Sequence, residues 1–307
     1  MKNIKVKANK KINKPNAAGR FTKGEVPRIE DLDPDAAWVF DERHGINPGE
    51  TFTDGMEIES IMGGDWAIMT ASIRGTVLED GPTYMEEGGF GFADIRTKGE
   101  EDSGRYFFSM NNELSTNELD PWLDTGGAIL MSIRKQDWRT YENPSLIGAS
   151  ESIYGHHYSF DHKGIMMRQG WATDQVTEPH GSSTPVNNGG VSGLRWRADS
   201  INHARVISDP GIVRDQISDK WISIGVTWDR DNAIFFRDGD VWSRNKILGD
   251  LLDPESRPHS PKFPLTIGGH RWGRWPFQGD VRACAIWTRK IKESTAEEFH
   301  KSQIPSV

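Results

Sequence analysis

Asp219-Lys-Trp-Ile-Ser-Ile-Gly-Val-Thr-Trp-Asp229 is followed, after a short polar turn, by Ala233-Ile-Phe-Phe-Arg-Asp-Gly239. The first run alternates. Trp221, Ser223, Gly225 and Thr227 fall on one face of a strand, and Ile222, Ile224, Val226 and Trp228 on the other. Asp229-Arg-Asp-Asn232 separates it from the second run, and Arg237-Asp-Gly-Asp240 turns the chain again. Asp-Gly is the pair that a type I′ turn wants, because both central positions need positive φ. The stretch predicts a β-hairpin with a further turn behind it.

The same texture extends outward in both directions. Met56 to Met62, Trp66 to Ile73 and Arg105 to Met110 alternate. Ala128 to Ile133, His157 to Phe160, Gly164 to Arg168, Pro264 to Ile267 and Asp280 to Trp287 are short apolar runs between Gly, Asn, Asp and Pro. Thr125-Gly-Gly127 enters one of them and Gly268-Gly269 leaves another. Short strands with turn signals at fairly regular spacing predict a sandwich or barrel. Helical periodicity is convincing once, from Lys292 to Ser302, with Ser294-Thr-Ala-Glu297 as a cap and Phe299 in the following turn. No fixed-period repeat interrupts this pattern, and no long internal linker divides it.

Roughly the last 120 residues resemble the laminin-G-like domains of the concanavalin A-like superfamily. Asp219 to Asp229 is similar to their "gkWhhvavtyD" strand and Ala233 to Gly239 to the "lrlYvDG" strand that follows. Phe263-Pro-Leu-Thr-Ile-Gly-Gly269 resembles "plriGg", Phe277 to Arg289 resembles "fnGkIdevriynraL", and Lys292 to Phe299 resembles the closing helical turn. Upstream the likeness is weaker, through Gly127 to Arg134 and Tyr158 to Arg168, so it is strongest from about 120 to 305. The resemblance implies an all-β, two-sheet antiparallel jelly-roll sandwich. It also implies binding rather than catalysis, since such domains take glycans, proteins or other ligands at the sheet rim or concave face, sometimes through calcium.

Composition bounds the remainder. Among 307 residues, 35 % are hydrophobic, with 32 glycines, 12 tryptophans and 13 phenylalanines, so an aromatic core among many turns is expected. The mean hydropathy is -0.64, and no apolar run approaches the ~20 residues of a membrane-spanning helix. A lone cysteine, Cys284, excludes an internal disulfide or a multi-cysteine zinc site. The net charge of -8 is unevenly divided. Met1 to Arg28 holds nine Lys/Arg against Glu25, a net of +8, which leaves 28 basic and 44 acidic residues, a net of -16, in the rest. Residues 1–40 are therefore expected to form an extended basic arm and 41–307 a single β-sandwich domain. The arm offers Lys2, Lys5, Lys7, Lys10, Lys11 and Lys14 as an anchor toward an acidic partner surface. No aromatic interleaves these lysines before Phe21, so nucleic-acid stacking is unsupported. They are followed by neither an apolar core segment nor a small-residue cleavage site, so no signal peptide is expected and synthesis in the cytoplasm is.

Glu57 and Glu59 share a strand face, but the i, i+2, i+4 acid pattern of laminarinase-type glucanases is broken by Ile61 on one side and Gly55 on the other. His156, His157 and His162 beside Tyr158 suggest a His-plus-Tyr acid/base pair for a lyase, though the alginate-lyase strand motifs of this fold are absent, and His157 with Asp161 would need a third metal ligand that the sequence does not supply nearby. Asp229, Asp231, Asp238 and Asp240 lack a calcium-loop spacing and suit turns, so neither a metal nor a cofactor is expected. The richest binding material is the loop His270-Arg-Trp-Gly-Arg-Trp-Pro-Phe277, where Arg271, Trp272, Arg274 and Trp275 join His270. Trp and Arg of this kind stack on sugars, bind carboxylates or anchor a partner subunit. Trp171 and Trp196 stand in similarly polar surroundings, whereas Trp221, Trp228 and Trp287 read as core.

These readings converge on a non-catalytic structural or adhesion protein. A virion component, such as a phage surface or decoration protein, would display the lectin-like domain through its arm, as a homo-oligomer with protein partners and a possible glycan. The alternative is a carbohydrate-active enzyme, hydrolase or lyase, or a free lectin.

Overall fold

The computed structural model describes residues 5–6, 27–40, 49, 57–63, 67–72, 83–84, 90–91, 106–110, 126–134, 151–157, 164–169, 175–177, 183–185, 191–192, 195–197, 203–205, 220–229, 232–246, 266–267 and 279–303. In chain order the strands are β1 (Lys5–Val6), β2 (Ala36–Val39), β3 (Glu57–Glu59), β4 (Ala67–Ser72), β5 (Thr83–Tyr84), β6 (Phe90–Gly91) and β7 (Tyr106–Met110). Then come β8 (Gly127–Arg134), β9 (Glu151–His157), β10 (Gly164–Gln169), β11 (Gln175–Thr177), β12 (Ser183–Pro185), β13 (Val191–Ser192), β14 (Arg195–Arg197) and β15 (His203–Arg205). The last are β16 (Trp221–Trp228), β17 (Asn232–Arg237), β18 (Asp240–Lys246), β19 (Thr266–Ile267) and β20 (Asp280–Trp287), followed by helix α1 (Glu293–Gln303). A 3-10 turn at Ile29–Leu32 precedes β2.

The architecture is all-β and of sandwich type. One sheet runs β1-β3-β4-β7-β19-β9-β10-β14-β15 with β13 also on β10, and another runs β18-β17-β16-β8-β20-β6-β5 with β2 also on β20. The ribbon β11–β12 stands as a separate pair, an addition to the two sheets expected. Pairing is antiparallel throughout, except that β1 lies parallel to β3.

The eight-residue strands β16, β8 and β20 form the middle of the second sheet, joined in register from Trp221↔Arg134 to Trp228↔Gly127 and from Asp280↔Arg134 to Trp287↔Ala128. Their residues are buried on both faces, which is why β8 reads as a continuous apolar run rather than an alternating one. On one face, Ala128, Leu130, Ile234, Phe236, Ala283, Ala285 and Trp287 form a single cluster with Ala296 and Phe299 of α1 and with Ile29 and Leu32. On the other, Trp38, Cys284, Met131 and Ile224 share a row through successive pairings. From that side the Trp38 indole N–H donates to the Ile58 carbonyl of β3 at 3.1 Å, tying one sheet to the other. Trp287 is likewise buried with its N–H satisfied, by the Leu32 carbonyl at 3.2 Å.

The small residues of β16 seat the C-terminal segment. Thr227 Oγ1 donates to the Gly127 carbonyl and accepts from the Ile291 N–H, both at 3.0 Å. A Cβ on Gly225 would meet Leu130 Cδ2 at 2.3 Å and the Ile129 carbonyl oxygen at 2.4 Å, so glycine lets β8 and its Leu130 close over this row. The expected turns form. Asp229 Oδ1 accepts from the Asn232 N–H, and Asp238 and Gly239 adopt φ of 51° and 85°. Gly239 is also pressed beneath α1, where an added Cβ would lie 2.9 Å from Glu297 Cα.

Three expectations require correction. The sandwich takes in the chain well before residue 41: Ile29, Leu32 and Ala36 to Phe40 are buried, and β2 pairs with β20. The acidic, proline-containing flank Asp31 to Asp35 disguises this strand, because Asp33 and Asp35 bind the residues just beyond β20 rather than solvent alone. Asp35 Oδ2 accepts from the Thr288 hydroxyl at 2.8 Å, and Asp33 pairs with Arg289. The basic arm does not lie wholly outside the sheets, since Lys5 pairs with Glu57 and Val6 with Ile58. Lastly, α1 opens at Glu293, which places Ser294 within its first turn instead of at the cap.

Gly225→Ala is expected to destabilise the fold by about 1–3 kcal/mol through overpacking, measured as a shift in the urea midpoint at unchanged m. Cys284 is fully buried and burial pushes its thiol pKa up, so it should resist a thiol reagent until the chain unfolds. Rapid labelling of the native protein would contradict this placement.

Candidate functional site

Three groups of polar side chains gather where β16, β17, β18 and β20 meet α1. In the first, Ser223 Oγ lies 3.0 Å from His300 Nδ1, and Asp238 Oδ1 lies 3.8 Å from the same nitrogen. A serine nucleophile needs hydroxyl and carboxylate on opposite imidazole nitrogens, so that one takes the proton while the other orients the ring. Here both face Nδ1, Ser223 is only 5 % exposed, and Asp238 Oδ1 accepts the Ser223 backbone N–H at 3.0 Å. The group clasps the Asp238–Gly239 turn and α1 onto β16. Along α1, a hydrogen bond from Lys301 holds the exposed Glu297 carboxyl below its usual pKa.

In the second group Trp221 is covered by two guanidinium groups, Arg282 at 4.0 Å and Arg134 at 5.1 Å from the ring centroid. Both cations have other attachments. Arg282 Nη1 donates to the Gln303 carbonyl at the end of α1, where a cation complements the helix terminus, and Arg134 Nε donates to Asp280 at 2.7 Å. Trp221 is half-buried, a correction to its reading as core, whereas Trp228 and Trp287 are buried as expected.

In the third group Arg237 is laid over Trp242, its Cζ 3.5 Å from the ring centroid. The ladder between β17 and β18 slips there, with Phe236 opposite Val241 and Phe235 opposite Ser243, so Trp242 is the extra residue of a bulge. Both side chains are half-buried. Burial lowers the Arg237 pKa, and the neighbouring Asp238 and Asp240 charges raise it in opposition. Asp238 Oδ2 is 3.9 Å from Arg237 Nε, too far for a hydrogen bond.

Of the site residues expected from sequence, His270, Arg271, Trp272, Arg274, Trp275 and Trp171 lie outside the described residues, as do Lys2, Lys7, Lys10, Lys11 and Lys14. Trp196 is in β14, opposite Ala204 of β15, and Lys5 is in β1. Glu57 and Glu59 are half-buried on β3, flanking the buried Ile58. His156 and His157 end β9, opposite Ile165 and Gly164 of β10, so the strand finishes where one was expected to begin. His162 and Asp231 lie outside the described residues. Among the described residues no three His, Cys, Asp or Glu side chains gather as a metal-ligand set. The Trp242–Arg237 stack was missed by sequence reasoning. Its one linear signal is a tryptophan three residues beyond the Asp-Gly turn.

No protein-family model matches the chain, and no curated protein matches it in sequence. Among solved structures it is similar to the receptor-binding domain of botulinum neurotoxin D, at 10 % identity and a TM-score of 0.50, over 89 % of this chain and 53 % of that one. It is also similar to the binding domain of botulinum neurotoxin DC in complex with rat synaptotagmin II, at 10 % identity and a TM-score of 0.44, over 88 % and 51 %. Domain 4 of an extracellular arabinanase from Geobacillus stearothermophilus, in complex with arabinotriose, is similar at 9 % identity and a TM-score of 0.42, over 76 % and 88 %. The chain spans about half the length of the toxin domains it matches. At such identity the likeness to the neurotoxin D domain is one of fold alone.

If Ser223 and His300 form a clasp, Ser223→Ala should cost about 1 kcal/mol of stability, and His300→Ala about as much, with the double change less than additive. Denaturant titration of the three variants checks this.

Proposed function

We propose that this is a non-catalytic binding protein that recognises carbohydrate surfaces. The observation that carries the reading is the pair of half-buried Trp–Arg stacks, Arg134 and Arg282 on Trp221 and Arg237 on Trp242, beside a Ser–His–Asp group whose geometry is that of a clasp. Aromatic faces with guanidinium forks suit the recognition of sugar rings and their oxygens, and nothing in that recognition requires turnover. The fold likeness to a receptor-binding domain is compatible with this role without assigning a ligand.

The finer reading is a laminin-G-like jelly roll whose loop from His270 to Phe277, together with Trp171 and Trp196, contributes to ligand or subunit contact. Display on a larger particle, a virion among them, through the lysines of the arm is part of the same proposal. It rests on the split of charge between residues 1–28 and the rest of the chain.

The test is to incubate the purified protein with a panel of immobilised and soluble polysaccharides. Retention on at least one glycan is expected, with no growth of reducing ends and no absorbance from unsaturated products. Turnover that disappears in Glu57→Gln or Glu59→Gln would replace the binding reading with an enzymatic one.

A further inference from the structure

The two Trp–Arg stacks differ in what their cations are otherwise doing. At Trp221 both guanidinium groups are engaged, Arg282 with the Gln303 carbonyl and Arg134 with Asp280. At Trp242 the guanidinium has no such attachment among the described residues. Asp238 Oδ2, its one ion-pair neighbour among the described residues, is 3.9 Å away. A guanidinium stacked on an indole with its Cζ 3.5 Å from the ring centroid is restrained in orientation, and with no hydrogen-bond acceptor among the described residues its donor fork is available to a ligand. Arg237 is 29 % exposed, so that fork lies partly out of water yet within reach of it.

The surroundings supply the rest of a sugar-binding inventory. Trp242 is half-buried, and the bulge between β17 and β18 turns it out of the regular alternation of the strand. Asp240, opposite Arg237 in the ladder, is exposed. Asp238 is half-buried, with Oδ1 accepting the Ser223 N–H and Oδ2 turned toward Arg237. A pyranose or furanose ring stacks its C–H face on indole, donates its hydroxyl protons to carboxylates and accepts at its oxygens from guanidinium.

Resting on the carbohydrate-binding reading above, we propose that Trp242, Arg237 and Asp240 form a subsite for an uncharged sugar residue of a glycan. The choice of an uncharged sugar follows from the local charge. Two carboxylates, Asp238 and Asp240, flank one guanidinium, so a uronate, sialate or sulfate there would meet like charge on two sides. Neutral hydroxyls use both signs. The turn that carries Asp238 is fixed by positive φ at Asp238 and Gly239 and by α1 lying over Gly239. The arrangement is therefore built before the ligand arrives, which limits the ordering cost of binding.

The experiment compares the full chain with Trp242→Ala, Asp240→Asn and Asp240→Lys on immobilised neutral oligosaccharides (arabino-, xylo-, manno- and gluco-series) and acidic ones (polygalacturonate, heparin and sialylated chains). The full chain should be retained on a neutral series, and Trp242→Ala and Asp240→Asn should each weaken that retention by about tenfold or more. Asp240 is exposed, so Asp240→Asn should keep the parent melting temperature, which separates lost recognition from lost folding. Asp240→Lys should gain retention on the acidic chains. Neutral binding that survives unchanged in both Trp242→Ala and Asp240→Asn overturns this subsite and leaves the binding reading standing. Retention of the full chain on acidic chains alone overturns the uncharged-sugar assignment. A full chain retained on none of the panel overturns both.

Discussion

The structure depends on the small-residue row Ser223, Gly225 and Thr227 on β16. A strand at the middle of a sheet has two faces to cover, and this one is buried on both. Its apolar row, Ile222 to Trp228, lies on one side, and the row of small residues accepts the C-terminal segment on the other. Gly225 removes the bulk that would otherwise strike Leu130, Thr227 Oγ1 takes the Ile291 N–H at the approach to α1, and Ser223 meets His300 near the helix's far end. Larger side chains in this row would push α1 away and expose Phe299, Phe236 and Leu130, which share its cluster. Burying such side chains is worth about 1.5–3 kcal/mol each, so the seat is a large contributor to stability.

From that seat the position of the Trp242–Arg237 stack follows. The Asp238–Gly239 turn is pinned between β16, through the Asp238 N–H to the Ser223 carbonyl at 2.7 Å, and α1, through the close approach of Gly239 to Glu297. Arg237 immediately precedes this turn and Trp242 follows it by three residues. Their stacking is thus held at the end of a short, doubly anchored hairpin. Arg244, on the same strand, pairs with Glu293 at 2.6 Å and adds a third tie from β18 to the start of α1. An element fixed at its turn and along its length keeps the Trp242 ring and the Arg237 guanidinium together.

Buried tryptophans complete the closure with polar rather than purely apolar logic. Trp38 and Trp287 are almost without exposure, and each gives its indole N–H to a carbonyl of a different layer, Ile58 of β3 and Leu32 of the 3-10 turn. An indole buried without such an acceptor would leave a desolvated donor at a cost of roughly 1–3 kcal/mol. The chain segment from Ile29 to Phe40 is consequently held at both of its ends and along β2. That explains how a stretch beginning with four acids in six residues, Glu30 to Asp35, comes to line the core.

The sequence by itself determined the elements whose signals are local. Alternation marked β16, the Asp-Gly pair marked the turn at positive φ, and three-to-four spacing with Phe299 marked α1 to within a residue at each end. These depend on steric preferences of neighbouring residues and need no distant partner. Tertiary structure decided the rest. Ala36 to Val39 is apolar at every position and shows no alternation, and its pairing with Ala283 to Ile286, almost 250 positions away, makes it a strand. The placement of Lys5 beside Glu57 is likewise a long-range pairing with no local mark. The joining of Arg237 to Trp242 required a bulge, and the character of the two Trp–Arg stacks was set by whether a carbonyl or carboxylate from elsewhere reached the cation. Such acceptors come from residues remote in sequence, Gln303 for Arg282 and Asp280 for Arg134, so no local signal distinguishes these cations from Arg237, which has no hydrogen-bond acceptor among the described residues.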